Sequence, residues 1–432
     1  MLSFFFLTFF YICDIILKVL FKGGDIMTKI LVINAGSSSL KFSIIDMPEE
    51  KEIAHGLIGR IGLELSEWKL VKDGISSKGN VKIANHSEAF SFMLSSLKEN
   101  RIITSTEEIG ALGHRVLHGG EKYKKSVIVT QEVLRDIKKM ISLGPLHHPG
   151  EIAGIEAAQK IFNNIENVAV FDTAFHQTIE KDKYLYAVPY EWYQKYGVRK
   201  YGFHGTSHKY IRDTMQKILN KEDVNIISCH IGSGASITAI KNGKSYDTTM
   251  GLTPLDGLIM CTRSGSVDPS ILNYVSNQTG KSLENITDEL NQNSGLLGIC
   301  GFSDWRDVEN SAKNGNELSK LAVDLITERA ANCIWNYYRE LEGKVDAIVF
   351  TAGIGENASF YRTVVMNKLR LLGIEIDEER NQKIASFKNL NQGIITTENS
   401  SIPVYVIPTN EELEIARDTY NLTNNKTLTK VR

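Results

Sequence analysis

The feature that most constrains the fold is an apolar run that crosses a small turn of glycine and serine and then resumes. Residues 30–45 read ILVINAGSSSLKFSII, and apolar residues alternate after the turn. This pattern predicts a β-hairpin whose tip carries hydroxyl groups, backbone N–H groups and Lys41. Such a tip suits a phosphate group, because it combines several donors and one cation with little bulk. It is not a P-loop, since the spacing G-x-x-x-x-G-K-[ST] is absent, and a serine-rich turn without a ligand is the alternative interpretation.

A second stretch of the chain has the same design. Residues 225–240 read NIISCHIGSGASITAI, and an Asn-Gly turn follows at 242–243. Two such hairpins, far apart in one chain, predict a duplicated domain. A buried-strand pattern that begins at residue 345 ends in a third glycine-rich turn, at 351–357.

Helices are predicted between these strands. Apolar residues at helical spacing run from Leu318 to Leu341, and Gly343 can end that helix. Another helix is predicted over residues 151–161. Because strands and helices mix throughout, the predicted fold class is α/β, with the boundary between two domains near residues 171–177.

Composition limits the function classes. The chain has 432 residues, 23% of them charged, and a net charge of −2 without a long basic run. It is long enough for two domains with cores of their own, and nucleic acid is not an expected partner. The five cysteines are widely spread and form no C-x-x-C pair. That usage predicts a cytoplasmic protein without a disulfide framework or a zinc ribbon.

The first residues do not fit this description. Residues 1–21 are rich in Phe, Leu and Ile, but Asp14 and Lys18 would interrupt a membrane span. A signal peptide would need a basic start and a small-residue cleavage site. The sequence KGGD shortly before Met27 can be encoded by AAA-GGA-GGT-GAT, a purine-rich string like a bacterial ribosome-binding site. We hypothesise that Met27 is the true start, that residues 1–26 are a non-native leader, and that no membrane is a partner.

Five short clusters place polar residues among glycines or at the ends of apolar runs, where sites usually form. They are Arg115 in GHRVLHGG (113–120), Asp172 in FDTAFH (171–176), His204 in YGFHGTSH (201–208), Arg263 in TRSG (262–265) and two glutamates in PTNEE (408–412). Each residue alone is more often structural than catalytic. Several such clusters in one chain favour a functional site.

Taken in order, these motifs resemble those of the acetate kinases, a family whose fold is shared with sugar kinases, actin and heat-shock chaperones. The resemblance extends from residue 27 to about 418 and rests on the matching stretches 34–41, 113–121, 171–176, 202–208, 351–357 and 408–412. It implies two duplicated actin- and ribonuclease H-like domains with an active-site cleft between them. The implied N-terminal domain is 27–174, completed by 412–432, and the implied C-terminal domain is 175–411.

The resemblance implies a reversible transfer of the γ-phosphoryl group of ATP to acetate, which gives acetyl phosphate and ADP. It implies Mg²⁺ as the cofactor, with Mn²⁺ as a substitute, and a homodimer formed through the larger C-terminal domain, which also binds the nucleotide. Acetate is ionised at neutral pH, so its attack needs no strong general base. The harder task is to bring a carboxylate against a phosphate. Arginines, a histidine and a metal ion suit that task, because they supply positive charge and donors.

The resemblance also assigns roles to residues, position by position. The residues implied in catalysis carry a charge or a ring nitrogen, and they are Arg115, Asp172, His204 and Arg263. The implied metal residues are Asn34 and Glu411. Arg115 would hold the acyl substrate, and His204 and Arg263 would stabilise the transition state. We interpret Asp172 as a positioning and metal-linked group more than a proton acceptor, because acetate needs no base.

Two sets of lining residues complete the implied site. The small apolar pocket for the methyl group is lined by Leu117, Leu146, Phe203 and Pro254. The nucleotide is implied to contact Lys41 through its phosphates, and the remaining nucleotide residues are His230, Ile231, Gly232, Ser233, Gly234, Asp304, Trp305, Arg306, Gly353, Ile354, Gly355, Glu356 and Asn357.

Four positions depart from the family pattern. His148 and Ser233 stand where asparagine is expected, Cys261 where glycine is expected, and Ser266 where aspartate is expected. Ser233 matters most, because its turn is expected to contact the ATP phosphates and serine reaches less far than asparagine. A phosphoryl donor other than ATP therefore stays open as an alternative.

The acceptor and the function class have alternatives as well. Leu117 is bulkier than the valine that is common there in the family, which favours acetate. Propionate kinase is the close alternative, because one methylene in such a pocket is worth only about 1–3 kcal/mol. An actin- or chaperone-like ATPase without a small acceptor is the remote one. A metallohydrolase that uses His147, His148, His204 and His208 is disfavoured, since the motif H-E-x-x-H is absent.

Overall fold

A computed structural model describes residues 28–145, 147–384 and 392–430. These residues form two β-sheets with helices packed against them. The hypothesised leader, 1–26, and Leu146 lie outside the described residues. None of the helices in the described ranges combines the length and the apolar composition that crossing a bilayer requires.

Fourteen strands alternate with the helices along the described chain. The strands are β1 (Thr28–Ala35), β2 (Ser39–Met47), β3 (Lys51–Gly59), β4 (Ser66–Lys72), β5 (Ile75–Val81), β6 (Ile109–Val116), β7 (Val127–Ile128), β8 (Glu166–Phe171), β9 (Ile226–Ile231), β10 (Ala235–Lys241), β11 (Lys244–Thr248), β12 (Ala347–Thr351), β13 (Gly393–Ile394) and β14 (Val404–Val406). The helices are α1 (His86–Glu99), α2 (Gln131–Lys139), α3 (His148–Ile161), α4 (Lys181–Tyr184), α5 (Tyr190–Tyr196), α6 (Gly205–Leu219), α7 (Ser270–Thr279), α8 (Leu283–Gln292), α9 (Gly295–Cys300), α10 (Trp305–Lys313), α11 (Glu317–Glu340), α12 (Ala352–Asn357), α13 (Ser359–Lys368), α14 (Glu378–Ile384) and α15 (Glu411–Lys430).

The first sheet has the strand order β5-β4-β3-β2-β1-β6-β8-β7. Its strands β1 and β2 form the hairpin predicted from residues 30–45, antiparallel, with Asn34 opposite Lys41 near the tip. Strand β6 pairs in parallel with β1, and β8 pairs in parallel with β6. The tip of the hairpin therefore lies at the same edge as the carboxyl ends of β6 and β8.

The second sheet repeats this topology, with the order β11-β10-β9-β12-β14-β13. Strands β9, β10 and β11 form an antiparallel meander, and β12 and β14 add in parallel beside β9. Each sheet thus contains an antiparallel meander and two further strands, added in parallel beside its first strand. The predicted duplication is confirmed. Asn242 and Gly243 form the turn between β10 and β11, with φ of 52° and 71°, as an Asn-Gly hairpin turn requires.

The long helix α11 agrees with the prediction from apolar spacing. Its first turn is capped by Asn316, whose side chain accepts a hydrogen bond from the Ser319 N–H at 2.9 Å. Shortly after it ends, Gly343 adopts a φ of 70° that other residues rarely adopt. Ala330 and Ile334 of this helix are buried in the core of the second sheet.

Helix α15 returns the chain to the first sheet. Its residues Ile415 and Ala416 pack with Ile30 and Val32 in one buried cluster, and the helix also contacts β2, β6 and β8. A segment that follows the second sheet in sequence therefore completes the core of the first. The domain boundaries proposed from the sequence stay a prediction.

Candidate active site

The candidate residues come together at one edge of the two sheets. Asn34 lies near the end of β1, Arg115 near the end of β6, and Asp172 directly after β8. His230 lies near the end of β9 in the second sheet. Carboxyl ends of parallel strands meet at one edge of a sheet, and the loops there can carry charged groups without disturbing the core. Strand order thus gathers residues that the sequence separates widely.

Arg115 and Asp172 form an ion pair at this edge. Arg115 Nη2 donates to Asp172 Oδ2 at 2.6 Å, and its Nε donates to both carboxylate oxygens at 3.2 Å. The Asp172 side chain is fully buried, whereas 21% of the Arg115 side chain is exposed. Burial disfavours the charge on Arg115, but the carboxylates of Asp172 and Glu411 outweigh it and hold its pKa above the ordinary value. The Nη1 of Arg115 has no hydrogen-bond partner among the described residues, so it is available to a substrate.

The start of α6 holds Asp172 in place. The Gly205 N–H donates to the Asp172 carbonyl oxygen at 2.9 Å, and Thr206 Oγ1 donates to Asp172 Oδ1 at 3.3 Å. A Cβ at Gly205 would lie only 2.1 Å from the Asp172 carbonyl oxygen. Only glycine allows this close approach, which fixes the segment that contains Asp172 to the start of α6.

His204 precedes α6 and has a left-handed backbone conformation, with φ of 55°. Its Nδ1 lies 2.9 Å from Ser236 Oγ, and its ring stacks on His230 with 4.1 Å between ring centres. Burial, together with the neighbouring His230 and His208 rings and two arginines, holds the pKa of His204 well below its ordinary value. His204 is therefore neutral near pH 7, and it offers a hydrogen-bond donor rather than the positive charge expected from the sequence.

His208 is engaged by serine hydroxyls. Its Nε2 lies 2.8 Å from the same Ser236 Oγ, and its Nδ1 lies 2.8 Å from Ser228 Oγ. In the described ranges, no three His, Cys, Asp or Glu side chains are arranged to hold a metal ion. Two of the four histidines in the metallohydrolase alternative, His204 and His208, thus share a hydrogen-bond network through Ser236.

Arg263 lies in the segment that follows β11, a strand of the second sheet. Its Nη1 donates to the Pro254 carbonyl oxygen at 3.2 Å. A Cβ at Gly234 would lie 3.5 Å from this Nη1 and 3.4 Å from His204 Nε2, so the β9–β10 turn contacts both side chains. Burial and the like charge of Arg115 lower the pKa of Arg263. The charges of two guanidinium groups therefore meet in one place, which favours the binding of an anion between them.

Glu411, at the start of α15, brings a second carboxylate to the site. Burial raises its pKa to about 7, with Asp172 and Glu412 acting in the same direction and Arg115 and Lys41 against it. The two carboxylates are thus close enough to oppose each other's charge. That crowding is the electrostatic condition that a bound cation relieves.

The donor chemistry fits a magnesium ion. Such an ion is commonly held by one or two carboxylates together with phosphate oxygens and water. Glu411 supplies a carboxylate, and Asn34 supplies an amide oxygen from the hairpin strand, opposite Lys41. Both implied ligands would bind through oxygen atoms, as a hard cation prefers.

His147 lies near the candidate site, and the family resemblance assigned it no role there. It precedes α3 and is half-buried. Burial lowers its pKa, and the charges of Arg115, Arg263 and Asp172 all act on it. The signal available in the sequence was its place beside His148, before a proline, in the stretch that departs from the family pattern.

The predicted methyl pocket is assembled in part. Leu117 and Phe203 are buried in one cluster. Pro254 is not a member of this cluster. Its carbonyl oxygen accepts a hydrogen bond from Arg263. The prediction for Leu146 falls outside the described residues. Leu117, directly after β6, therefore carries an apolar side chain two residues beyond the charged Arg115.

A buried histidine, His148, and a buried glutamate, Glu151, lie next to Leu117. The Leu117 N–H donates to Glu151 Oε1 at 3.0 Å, and Glu151 Oε2 lies 3.0 Å from His148 Nδ1. A Cβ at Gly144 would lie 2.7 Å from the Leu117 side chain and 3.0 Å from the His148 ring. His148, one of the four departures, thus packs directly under Leu117.

Replacing Leu117 by alanine is expected to widen the pocket and to raise the ratio of kcat/KM for propionate to that for acetate by about 10-fold, because the lost methyl groups leave room for a further methylene. Leu117→Val should give an intermediate ratio. The measurement is kcat/KM for each acid. The control is Leu63→Ala, at an exposed leucine between β3 and β4. A ratio that stays unchanged in Leu117→Ala would remove this residue from the acyl pocket.

The predicted nucleotide segments line one cleft of about 550 Å³. Its lining comes from the β9–β10 turn and the starts of α10 and α12, and comprises Gly232, Ser233, Cys261, Ser303, Asp304, Trp305, Arg306, Gly353, Ile354, Asn357 and Ala358. This volume is typical of small-molecule sites. A Cβ at Gly353 would meet no atom within 4 Å, so the backbone there faces open space.

Some residues of the predicted nucleotide set are held within the protein. Ile231 is a core residue of β9. The Trp305 ring packs edge-on against Tyr361 at 5.2 Å between ring centres. Glu356 Oε1 accepts the N–H groups of Ala352 at 2.7 Å and Thr409 at 2.9 Å. Their side chains therefore support the cleft, and their contact with a nucleotide stays a prediction.

The other departures from the family pattern differ in position. Ser233 and Cys261 both line the cleft, and the Cys261 N–H donates to the Ser233 carbonyl oxygen at 3.3 Å. Ser266 Oγ donates to Asp256 Oδ1 at 2.6 Å and accepts the Gly257 N–H at 3.0 Å. Ser266 therefore braces a loop, whereas the other two can affect the phosphoryl donor.

Residues 29–417 match the model of the Acetokinase family. The acetate kinase of Shouchella clausii is 47% identical over 401 residues, which are 92% of this chain and 100% of that protein. The acetate kinase of Carboxydothermus hydrogenoformans is 47% identical over 403 residues, with 92% of this chain and 100% of that protein covered.

Solved structures agree with the sequence comparisons. A propionate kinase from Francisella tularensis superposes with a TM-score of 0.87 at 44% identity, over 92% of this chain and 100% of that chain. The acetate kinase of Porphyromonas gingivalis superposes with a TM-score of 0.85 at 41% identity, over 91% and 99%. The predicted fold is confirmed, and the alternative of an actin- or chaperone-like ATPase is wrong. The chain belongs to the acetokinase family, and it is a kinase whose phosphoryl acceptor is a carboxyl group.

Proposed function

We propose that this chain catalyses the reversible transfer of the γ-phosphoryl group of ATP to acetate, which gives acetyl phosphate and ADP. The observation that carries the proposal is the pair of guanidinium groups, Arg115 and Arg263, whose like charges act on one another beside Asp172. An acceptor that is itself an anion gives two cations a use in the same place. Between these groups a carboxylate and a phosphoryl group can be held in contact in spite of their repulsion.

In the proposed reaction the acetate carboxylate attacks the γ-phosphorus directly. One carboxylate oxygen forms the new O–P bond, and the bond to the oxygen bridging the β- and γ-phosphorus breaks, which leaves ADP. Arg115 Nη1 would orient the acetate, and Arg263 would bind the equatorial oxygens as their charge redistributes. His204, neutral and anchored by Ser236, would donate a hydrogen bond from Nε2 to the same oxygens.

We assign the cofactor to Asn34 and Glu411. When bound, Mg²⁺ would offset the negative charge of the transferring phosphates, and Mn²⁺ has suitable ligand preferences for the same oxygen donors. Lys41, opposite Asn34 on the hairpin, would add a positive charge toward the phosphates. Asp172 would keep Arg115 in register through its hydrogen bonds.

The 550 Å³ cleft supports ATP as the donor, because it joins the three predicted nucleotide segments next to Gly234 and Arg263. Ser233 lines that cleft in place of the expected asparagine. GTP and pyrophosphate are therefore the donors against which ATP is to be compared.

Acetate is the proposed acceptor because the buried Leu117 side chain is bulkier than the valine that is common at this position in the family. Propionate is the second candidate, and a specific observation favours it: the chain superposes on a propionate kinase with a TM-score of 0.87. The pocket can discriminate between the two acids only modestly, since one methylene contributes about 1–3 kcal/mol.

The experiment that tests the function is a coupled assay of the purified protein with ATP, GTP or pyrophosphate against acetate, propionate or butyrate, with and without Mg²⁺. The expected result is the highest kcat/KM with ATP and acetate, and loss of turnover when Mg²⁺ is removed with a chelator. Nucleotide hydrolysis that does not depend on any carboxylic acid would overturn the proposal.

We also propose that the chain forms a homodimer through the side of the second sheet. Leu318, Leu321, Leu325 and Trp335 lie on one face of α11 and are 40–55% exposed. These four side chains form an apolar patch, interrupted by the exposed Glu328 and Asn332, which a partner copy would cover.

Leu321→Glu is expected to convert the dimer into a monomer, because it would bury a charge in that apolar interface. Sedimentation velocity at several protein concentrations measures the change. Leu63→Glu, at an exposed leucine remote from α11, should leave the dimer intact. A wild-type protein that sediments as a monomer, or a dimer that Leu321→Glu leaves unaffected, would contradict the proposed interface.

A cytoplasmic location is proposed from the cysteines. Cys229, Cys261, Cys300 and Cys333 are free thiols in the structure. Burial raises the pKa of Cys229 and Cys261, which keeps these thiols protonated. Unpaired, protonated thiols are typical of proteins that work in a reducing compartment.

A further inference from the structure

A second cavity lies beside residues 171–175, the segment at the end of β8 that contains Asp172. It has a volume of about 370 Å³, and its lining runs from the end of β8 to the first turns of α6 and on to α15. Phe171 and Ala174 line it on either side of Asp172, but neither Asp172 nor the arginines Arg115 and Arg263 do. We call it the rear cavity. It is distinct from the nucleotide cleft, which other residues line.

One wall of the rear cavity is apolar. Val170, Phe171, Ala174, Phe175 and Leu422 line that wall. A concave apolar wall of this kind can take up the hydrocarbon part of a small molecule. The volume lies near the lower end of the range for ligand sites, so the ligand would be small.

The rim of the cavity is positively charged. Lys124, Lys125 and Lys244 line it, and all are exposed. None of these lysines has an ion-pair or hydrogen-bond partner for its side chain in the part of the chain that the structure describes. Arg212 also lines the cavity, but its charge is already compensated, because its Nε pairs with Asp213 and its Nη1 donates to the Gly243 carbonyl oxygen at 2.8 Å.

The acidic residues of the cavity are already compensated. Lys209 Nζ lies 2.8 Å from Glu414 Oε1 and 2.6 Å from Asp418 Oδ1. Glu414 is also paired with Arg417 at 3.2 Å, and Ser126 Oγ donates to Asp418 Oδ2 at 2.5 Å. The carboxylates therefore do not neutralise the lysines of the rim.

We propose that the rear cavity is a regulatory site for a small amphipathic anion, an organic carboxylate or phosphate ester with an apolar group. The apolar part would lie against Phe171 and Phe175, and the anionic part would pair with Lys124, Lys125 and Lys244. Binding in the rear cavity does not depend on the proposed kinase reaction, whereas the proposed effect on turnover rests on that reaction.

The coupling to catalysis runs through the floor of the cavity. Gly205 and Thr206 line it, and the same two residues hold Asp172 by hydrogen bonds of 2.9 and 3.3 Å. Lys209 of α6 joins α15 across the cavity. An occupant would touch α6, β8 and α15 at once, so it would favour whichever arrangement of these elements it fits best.

Binding is tested with the full chain and the fluorescent probe 8-anilinonaphthalene-1-sulfonate, in saturating MgADP so that the nucleotide cleft is filled. Phenyl phosphate and benzoate are expected to displace the probe, and benzyl alcohol, which has the ring without the charge, is not. Lys124→Ala combined with Lys125→Ala should weaken probe binding about tenfold, and raised salt should weaken it in the wild type. Lys78→Ala combined with Lys82→Ala, at exposed lysines remote from the cavity, is the matched control.

Asn421→Trp tests the location. Asn421 is an exposed residue of α15 at the cavity, and an indole there should fill the cavity and abolish probe binding. In the wild type, phenyl phosphate at saturating substrates should change kcat, and Asn421→Trp should remove that response. Probe binding that the lysine pair and Asn421→Trp leave unaffected, or displacement by benzyl alcohol as strong as by the anions, would overturn the site. A constant kcat across the phenyl phosphate titration would overturn the regulation, while a protein that binds the probe but has no kinase activity would refute only the proposed function.

Discussion

Arg263→Ala is expected to lower kcat by about 10²-fold or more, because a preorganised donor to developing charge typically contributes that much. The structure gives a reason for so large an effect. Arg263 Nη1 donates to the Pro254 carbonyl oxygen and lies near the β9–β10 turn at Gly234, and the charge of Arg115 helps to lower the pKa of Arg263. It is thus positioned before substrate arrives, at a place where the repulsion between two like charges favours an anion.

The kinetic pattern distinguishes the role of Arg263 from simple binding. Loss of a transition-state interaction lowers kcat and kcat/KM together, whereas loss of ground-state binding raises KM alone. Arg263→Lys should recover only part of the activity, since an ammonium group lacks the two-pronged geometry. Arg60→Ala, at an exposed surface pair with Glu67, is the control. A change confined to KM in Arg263→Ala would show that this arginine binds the ground state and does not stabilise developing charge.

Asp172→Asn is expected to be the other most damaging substitution. It removes a fully buried carboxylate that accepts three hydrogen-bond contacts from Arg115. Loss of one partner of a buried pair costs about 3–5 kcal/mol, because the remaining charge is uncompensated. Arg115 would then turn toward Glu411, the other carboxylate that acts on it, and the acyl substrate would lose its orienting group. We expect kcat to fall about 10²-fold or more, with an altered dependence on Mg²⁺ concentration.

A double-mutant cycle with Arg115→Ala tests whether Asp172 acts through Arg115. If it does, the two substitutions together should be little worse than the more severe one alone. Asp136→Asn, at an aspartate that also forms ion pairs but lies far from the site, controls for the loss of an ion pair as such. Near-normal kcat in Asp172→Asn, together with a normal dependence on Mg²⁺, would refute the assigned role.

Much of the fold could be predicted from the sequence because its signals are local. The hairpin β1–β2 follows from alternation around a glycine and serine turn, and the turn at Asn242 follows from its neighbour Gly243. Helix α11 follows from apolar spacing and the glycine beyond its end. The duplication was visible as two hairpins of one design, and the strand order of both sheets confirms it.

The candidate site was predicted as a set of residues and not as a geometry. Motifs in the order of a known family identified Arg115, Asp172, His204 and Arg263. The structure places Arg115 and Asp172 at the ends of two neighbouring strands, His204 before α6, and Arg263 close enough for the charge of Arg115 to act on it. Residue types could not predict that the Glu356 carboxylate accepts hydrogen bonds from two backbone N–H groups. That depends on how α12 packs against the segment before α15.

The sequence by itself determined the local elements, the family and the residue types that the chemistry needs, because each is written in spacing or in short motifs. Only the tertiary structure decided how those residues act on each other. The ion pair of Arg115 and Asp172 joins two residues that are 57 positions apart in the chain and lie at the ends of neighbouring strands. The neutral state of His204 comes from burial among two other histidines and two arginines. The rear cavity exists because α15 returns to the first sheet beside α6. Charge, burial and cavity shape depend on distances between residues far apart in the chain, and those distances are set by packing.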